Sequence, residues 1–288
     1  ALELPRAHHR AIADACVDRG IEFLSTAFDL DSLSFLVEDM GIRRIKIPSG
    51  ELTNAPLVLA AARSGLPLIV STGMATLGEV EEALGVIAFG AASGGGRNGV
   101  PSRDAFAEAY ADAGARMLLC ERVTVLHCTT DYPAPPEAVN LNAMATMARA
   151  FGTACGYSDH TAGLAVPVLA VGLGASVIEK HFTLDRTLQG PDHTASLEPD
   201  ELARMVAMIR EAEAALGSPV KAPGAAERAN IEVARKSLVA ARGIAEGEVF
   251  SADNLTVKRP GGGRAPIEYW TVLGTRADRA YAADEAIS

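Results

Sequence analysis

The sequence predicts an α/β fold on a parallel sheet, followed by a small irregular β-rich domain. Three observations carry this. Up to about residue 218, six short runs dense in Val, Ile, Leu and Phe lack clean alternation, as strands covered on both faces do. Helical runs lie between them, which is the order of βα units and a parallel sheet. After about residue 218 the style shifts to short β-like pieces between turns.

The predicted strands are "IEFLSTAF" (21–28), "RRIKIPSG" (43–50), "LPLIVSTG" (66–73), "VTVLHCTT" (123–130), "TACGYSDH" (153–160) and "SVIEKHFT" (176–183). Among the helices, "DLDSLSFLVEDMG" opens on Asp29 or Asp31 as a cap and stops at Gly41, and "APLVLAAARSG" stops at Gly65. "EPDELARMVAMIREAEAALG" (198–217) has helical apolar spacing and acids in its first turn. An open doubly wound sheet and a (β/α)₈ barrel both fit, although six strands cannot close an eight-stranded barrel. No G-x-G-x-x-G follows a strand, which disfavours a dinucleotide-binding sheet.

A long insertion, 89–118, separates the third and fourth units. Its cluster Gly94–Gly96 lacks the G-K-[ST] ending of a phosphate loop, so it reads as a surface loop leading into a helix from Pro101. The domain division is 1–218 for the sheet domain, 219–237 for a linker with a charged helical portion, and 238–288 for the β-rich domain. So small a domain is near the lower limit for folding alone and is expected to lean on something larger.

Of 288 residues, 49% are hydrophobic and 22% charged, with a formal net charge of −10, which suits a globular protein. No basic run exceeds two residues, so nucleic acid is not an expected partner. No apolar run approaches the roughly 18–20 residues of a membrane span, and no signal peptide is visible. Cys16, Cys120, Cys128 and Cys155 form no C-x-x-C pair and read as reduced, buried thiols of a cytoplasmic protein.

Each predicted strand ends in polar residues, and parallel strands deliver their C-terminal ends to one face. The groups are Ser25 and Thr26; Lys46, Ser49 and Glu51; Ser71 and Thr72; His127, Thr129, Thr130 and Tyr132; Ser158 and His160; Glu179 and His181. Hydroxyls around the Lys46 ammonium make a phosphate cradle. His160 and His181, on successive strand ends, suit a divalent metal with open positions that would polarise a carbonyl. Asp192 and Glu51 are placed to grip sugar hydroxyls.

Each group also has a structural reading. Serines at βα junctions cap the next helix, the reading favoured for Ser71 taken alone. Lys46 snorkels outward, and His127 is a core histidine. His193 sits in a predicted loop and is the weaker metal candidate, and His8 and His9 lie on a surface helix. Lys46 and Ser49 have opposite strand parity, which Pro48 reconciles only as a bulge or strand end.

"FLSTAF", "IKIPSGELTN", "LIVSTGMAT", "LHCTTDYPAP", "GYSDHTAG", "IEKHFT" and "GPDHTASLEP" resemble, in order and spacing, the sialic acid synthase family. "GEVFSADNLTVKRPGGG" resembles that family's antifreeze-like (SAF) domain. The resemblance implies a (β/α)₈ TIM barrel that condenses phosphoenolpyruvate with an N-acetylmannosamine-type sugar, giving a nonulosonic acid and phosphate. It implies that Lys46, Ser49, Ser71 and Ser158, with Thr26 nearby, hold phosphoenolpyruvate. Glu51, Tyr132 and Asp192 become the catalytic, sugar-facing groups, with Thr130 beside them. His160 and His181 would bind Mn²⁺, with Mg²⁺ or Co²⁺ as alternatives. Arg259 would reach a partner's site in a domain-swapped homodimer.

Two departures qualify the resemblance. The family's first two βα units, with a strand resembling E-I-G-x-N-H-x-G and one ending in K-x-Q, have no counterpart, so a longer protein is expected. "HCTTDYPAP", "VNLNAM" and "GPDHTASLEP" resemble the legionaminic acid branch, which uses a 2,4-diacetamido-6-deoxy sugar. Two other readings stand beside it. One is another phosphoenolpyruvate-dependent barrel acting on a phosphorylated aldose, for which only Lys46, Lys180 and Arg186 offer charge. The other is a non-catalytic sugar-binding homologue.

Overall fold

A computed structural model describes residues 4–93 and 99–288. The surface-loop reading of Gly94–Gly96 lies outside the described residues. The chain forms two compact units, Ala1–Gly217 and Ser218–Ser288.

The larger unit is a five-stranded, all-parallel sheet in sequential order: β1 (Ile45–Ile47), β2 (Leu68–Ser71), β3 (Val123–Cys128), β4 (Ala154–Asp159) and β5 (Ile178–Lys180). The intervening helices include Ala55–Arg63, Leu77–Ser93, Asn142–Phe151 and Ala165–Gly172. Helix Pro199–Leu216 follows β5 and opens with reciprocal capping by Glu198 and Glu201. Asp29 caps the short helix Leu30–Ser34, accepting from the Ser32 amide at 2.7 Å.

Strand parity sorts the side chains. Ile45, Ile47, Leu68, Val70, Val123, Val125, Cys155 and Tyr157 join Leu57, Leu84, Leu119, Met144 and Phe151 in the buried layer between sheet and helices. Each such aliphatic side chain contributes about 1.5–3 kcal/mol. The alternate residues, including Lys46, Ser71, Cys128, Ser158 and Glu179, line the inner face. Gly156 leaves room for Leu126 there; a Cβ would sit 2.6 Å from Leu126 Cδ2.

Three expectations change. Segment 21–28 makes only one parallel bridge, Thr26 to Lys46, and so is not a regular strand. Among the described residues no strand pairs with its other side, and Ile21 and Phe28 are exposed. The insertion does not start at a structural boundary, because helix Leu77–Ser93 runs into it; helices Arg103–Ala111 and Ala113–Arg122 follow. His9 is not a surface residue. It is buried edge-on against Phe23 and Phe35, within 3.3 Å of Ser25 Oγ.

The smaller unit begins with helix Ala225–Ala234. Strands β6 (Ser237–Ala240) and β7 (Leu255–Lys258) then pair antiparallel. Bridges Val239–Ala286, Ile244–Tyr281 and Val249–Arg276 complete a compact β-rich body around Leu238, Phe250, Leu255, Tyr281 and Ile287. Among the described residues no helix is long and apolar enough to cross a membrane.

Candidate active site

β1 ends at Ile47, and Ser49 lies in a 3₁₀ turn, Ser49–Glu51. Pro48 therefore marks a strand end, and this frees Ser49 from the parity that separated it from Lys46. Lys46 is 7% exposed. Its Nζ lies 2.9 Å from Glu179 Oε1 and 2.8 Å from Oε2. Ser158 Oγ donates to the same Oε1 at 2.6 Å.

This contact between the first and last strands reports the shape of the sheet. Laid flat, β1 and β5 would stand about 19 Å apart, beyond the joint reach of a lysine and a glutamate. The sheet is therefore curled, with its inner faces converging as in a barrel. The register agrees: Lys46 aligns through Ile69 and Thr124 with Ala154, whereas Glu179 aligns with Ser158, four residues further on. Such stagger belongs to tilted barrel strands.

Burial raises the Glu179 pKa, and the charge and hydrogen bond of Lys46 more than offset that, so the carboxyl sits below its ordinary value. Ser71 lies on the same inner face and is 1% exposed, and its hydroxyl has no hydrogen-bond partner. It does not cap the following helix, where Thr76 and Glu79 bond each other instead. An orphan buried hydroxyl costs about 1–3 kcal/mol unless a ligand accepts from it.

At the rim, Gly73 brings three side chains together. A Cβ there would lie 2.3 Å from Thr130 Oγ1, 2.8 Å from Ser49 Oγ and 3.2 Å from Cys128 Sγ. Only glycine allows that approach. The Gly73 amide also donates to Ser49 Oγ at 2.9 Å. Burial raises the Cys128 thiol pKa, but the hydrogen bond and charge of His160 bring it below its ordinary value.

His160 and His181 stand with ring centres 5.2 Å apart. Tyr132 packs on both, at 4.2 Å from His160 and 5.5 Å from His181. His160 Nδ1 donates to the Thr129 carbonyl at 2.6 Å, which fixes the tautomer and leaves Nε2 with the lone pair. His181 Nδ1 faces Asp192 Oδ2 at 3.8 Å. Two oriented imidazoles would fit a divalent ion whose remaining positions go to water and substrate. Among the described residues no cluster of three His, Cys, Asp or Glu side chains makes a complete protein cage. Burial, then the charges of Cys128, Asp192 and Glu179, raise the Tyr132 phenol pKa.

The structure thus brings together Lys46, Ser158 and Glu179; Ser49, Thr130 and Cys128; and Tyr132, His160, His181 and Asp192. Thr26 joins by its bridge to Lys46. Glu51 accepts from Asn54 Nδ2 at 2.6 Å in the turn after Ser49. Arg259 is exposed on the smaller unit. His193 meets Thr183 Oγ1 at 2.7 Å, and His127 donates to the Val139 carbonyl at 2.6 Å. Lys180 and Arg186 are engaged by Asp159 and Glu201, so neither offers a second phosphate site. Sequence reasoning gave Glu179 no role, although it stands two residues before His181 and so shares its face.

A curled parallel α/β sheet whose strand ends gather an ammonium, an unpartnered hydroxyl and two neighbouring imidazoles has the layout of a barrel-type enzyme. Comparison with known proteins places it more closely. The chain belongs to the NeuB family: the family matches residues 1–221, and a SAF domain matches residues 235–288. It is 43% identical over 286 residues to an N,N'-diacetyllegionaminic acid synthase of Campylobacter jejuni, covering 99% of this chain and 78% of that one. The synthase of the same name from Legionella pneumophila is 42% identical, with 96% and 70% covered. An N-acetylneuraminic acid synthetase from Leptospira borgpetersenii, solved with citrate, superposes with a TM-score of 0.65 at 32% identity, covering 80% of this chain and 70% of that one.

Proposed function

We propose that this protein condenses phosphoenolpyruvate with an N-acetylmannosamine-type sugar, giving a nonulosonic acid and phosphate. The legionaminic-type 2,4-diacetamido-6-deoxy sugar is the favoured acceptor. The observation that supports this is the inner face itself: the Lys46 ammonium and the unpartnered Ser71 hydroxyl lie on the inner face of the sheet whose strand ends carry the His160–His181 pair. The sugar assignment rests on the two legionaminic acid synthases to which the chain is similar.

Lys46, Ser49, Ser71 and Ser158, with Thr26 alongside, hold the phosphoenolpyruvate anion. Glu179 holds the Lys46 ammonium aimed before substrate arrives. A divalent ion at His160 and His181, with Mn²⁺ favoured over Mg²⁺ and Co²⁺, supplies Lewis-acid polarisation of a carbonyl. Tyr132 and Thr129 fix the His160 ring. Asp192, Glu51, Thr130 and Tyr132 meet the sugar hydroxyls and amides. The enol C3 bonds to the sugar aldehyde carbon, and water adds at C2. The C2–O bond then breaks with loss of phosphate. Charges and dipoles fixed in place before substrate arrives commonly supply most of an enzyme's rate enhancement. Arg259 completes a partner's site in a domain-swapped homodimer, and the enzyme acts in the cytoplasm.

A sugar panel tests the reaction. The protein is incubated with phosphoenolpyruvate, Mn²⁺ and each candidate sugar, and phosphate release is followed. Release with the diacetamido sugar ahead of N-acetylmannosamine is the expected result. Release with neither would leave a sugar-binding homologue.

A further inference from the structure

We propose that the buried Asp159–Lys180 pair is a positioning device that sets the two imidazoles against each other; this rests on the metal reading of His160 and His181. The pair lies on the opposite face of β4 and β5 from Ser158 and Glu179. It is sealed: the side chains are 0% and 2% exposed, and Lys180 Nζ lies 2.6 Å from Asp159 Oδ2. Each member directly precedes one of the imidazole residues in the chain.

The ammonium does more than pair a charge. Lys180 Nζ also donates to the Thr161 carbonyl, and Asp159 Oδ1 accepts from the Thr161 amide at 2.9 Å. The carboxylate before His160 and the carbonyl after it therefore close around one cation. That grip fixes the backbone that carries His160, while the Thr129 carbonyl fixes its ring. Because Asp159 and Lys180 are also register partners, the same contact locks His181 at its level on the next strand. A buried ion pair gives little net stability over apolar residues of similar volume. Its value here is geometric, as for the outer groups that orient metal ligands and whose loss weakens binding about 10–100-fold.

The test uses the full chain and Mn²⁺ as the probe, with affinity read by titration calorimetry and by electron paramagnetic resonance of free Mn²⁺. The variant is the double substitution Asp159→Asn with Lys180→Met, which removes both charges and leaves neither stranded in the interior. The expected result is an Mn²⁺ affinity about 10–100-fold weaker than wild type. The melting temperature and phosphoenolpyruvate binding without metal should stay near wild type. Wild-type Mn²⁺ affinity in the double variant, whether or not its melting temperature falls, would mean the pair is structural only and would overturn the proposal. Absence of Mn²⁺ binding by the unmodified protein would instead remove the metal reading beneath it.

Discussion

Lys46 on β1 and Glu179 on β5 meet at 2.8 Å across the inside of the sheet, although 133 residues and three strands separate them. Their contact spans the curl of the sheet and sets the ammonium beside the proposed anion cradle. Replacing Glu179 with Gln leaves a mostly buried ammonium without its counter-charge. Because the Glu179 side chain is 40% exposed, water offsets part of the loss. A stability loss of about 1–2 kcal/mol is expected, below the roughly 3–5 kcal/mol of a fully buried pair. Denaturant unfolding measures it, and an unchanged midpoint would deny the contact its role.

The same carboxyl gives a pH signature. Its pKa lies below the ordinary 4.5 in the folded chain. A depressed carboxylate contributes stability above its unfolded pKa and loses it as pH falls through the folded value. The gap in melting temperature between wild type and Glu179→Gln should thus stay level between about pH 7 and 5.5 and narrow below about 4.5. A gap that widens in acid would reverse the sign of the argument.

Ser71→Ala separates binding from folding. The hydroxyl is buried without a partner, so its removal relieves about 1 kcal/mol or more. The melting temperature is expected to hold or rise while the KM for phosphoenolpyruvate increases about 10-fold, as one lost charge-assisted hydrogen bond implies. A lower melting temperature with an unchanged KM would assign Ser71 to structure alone.

Gly73→Ala probes the rim. The added methyl would collide with Thr130, Ser49 and Cys128 at once. Displacing Ser49 and Thr130 by about 1 Å is expected to lower kcat/KM about 100-fold. Circular dichroism should show the fold retained. Wild-type turnover would show that these side chains lie outside the reaction's reach.

Much of this is legible in the sequence because parallel strands impose one direction on their C-terminal ends. Apolar runs place β1 to β5, and polar residues after each run mark the site face. Segment 21–28 reads like the other strands, but a strand needs neighbours, and periodicity cannot reveal whether a partner is present on each side. His9 reads as solvent-facing because helix periodicity does not show that Phe23 and Phe35 pack over it. The Lys46–Glu179 contact depends on how far the sheet curls, which no local pattern encodes. Asp159 carries no role in the sequence reading and Lys180 reads only as a spare cation; the register between β4 and β5 reveals a closed pair on the far face.

The central claim is that one cavity holds the phosphoenolpyruvate phosphate and the metal ion together. The most direct test is ³¹P relaxation of phosphoenolpyruvate bound to the Mn²⁺-loaded protein. Strong paramagnetic enhancement is expected in the wild type. It should disappear in the His160→Ala and His181→Ala double variant, which is expected to keep binding phosphoenolpyruvate through the proposed Lys46 and serine contacts. Bound phosphoenolpyruvate with relaxation indifferent to Mn²⁺ would place anion and metal in separate sites and contradict the account.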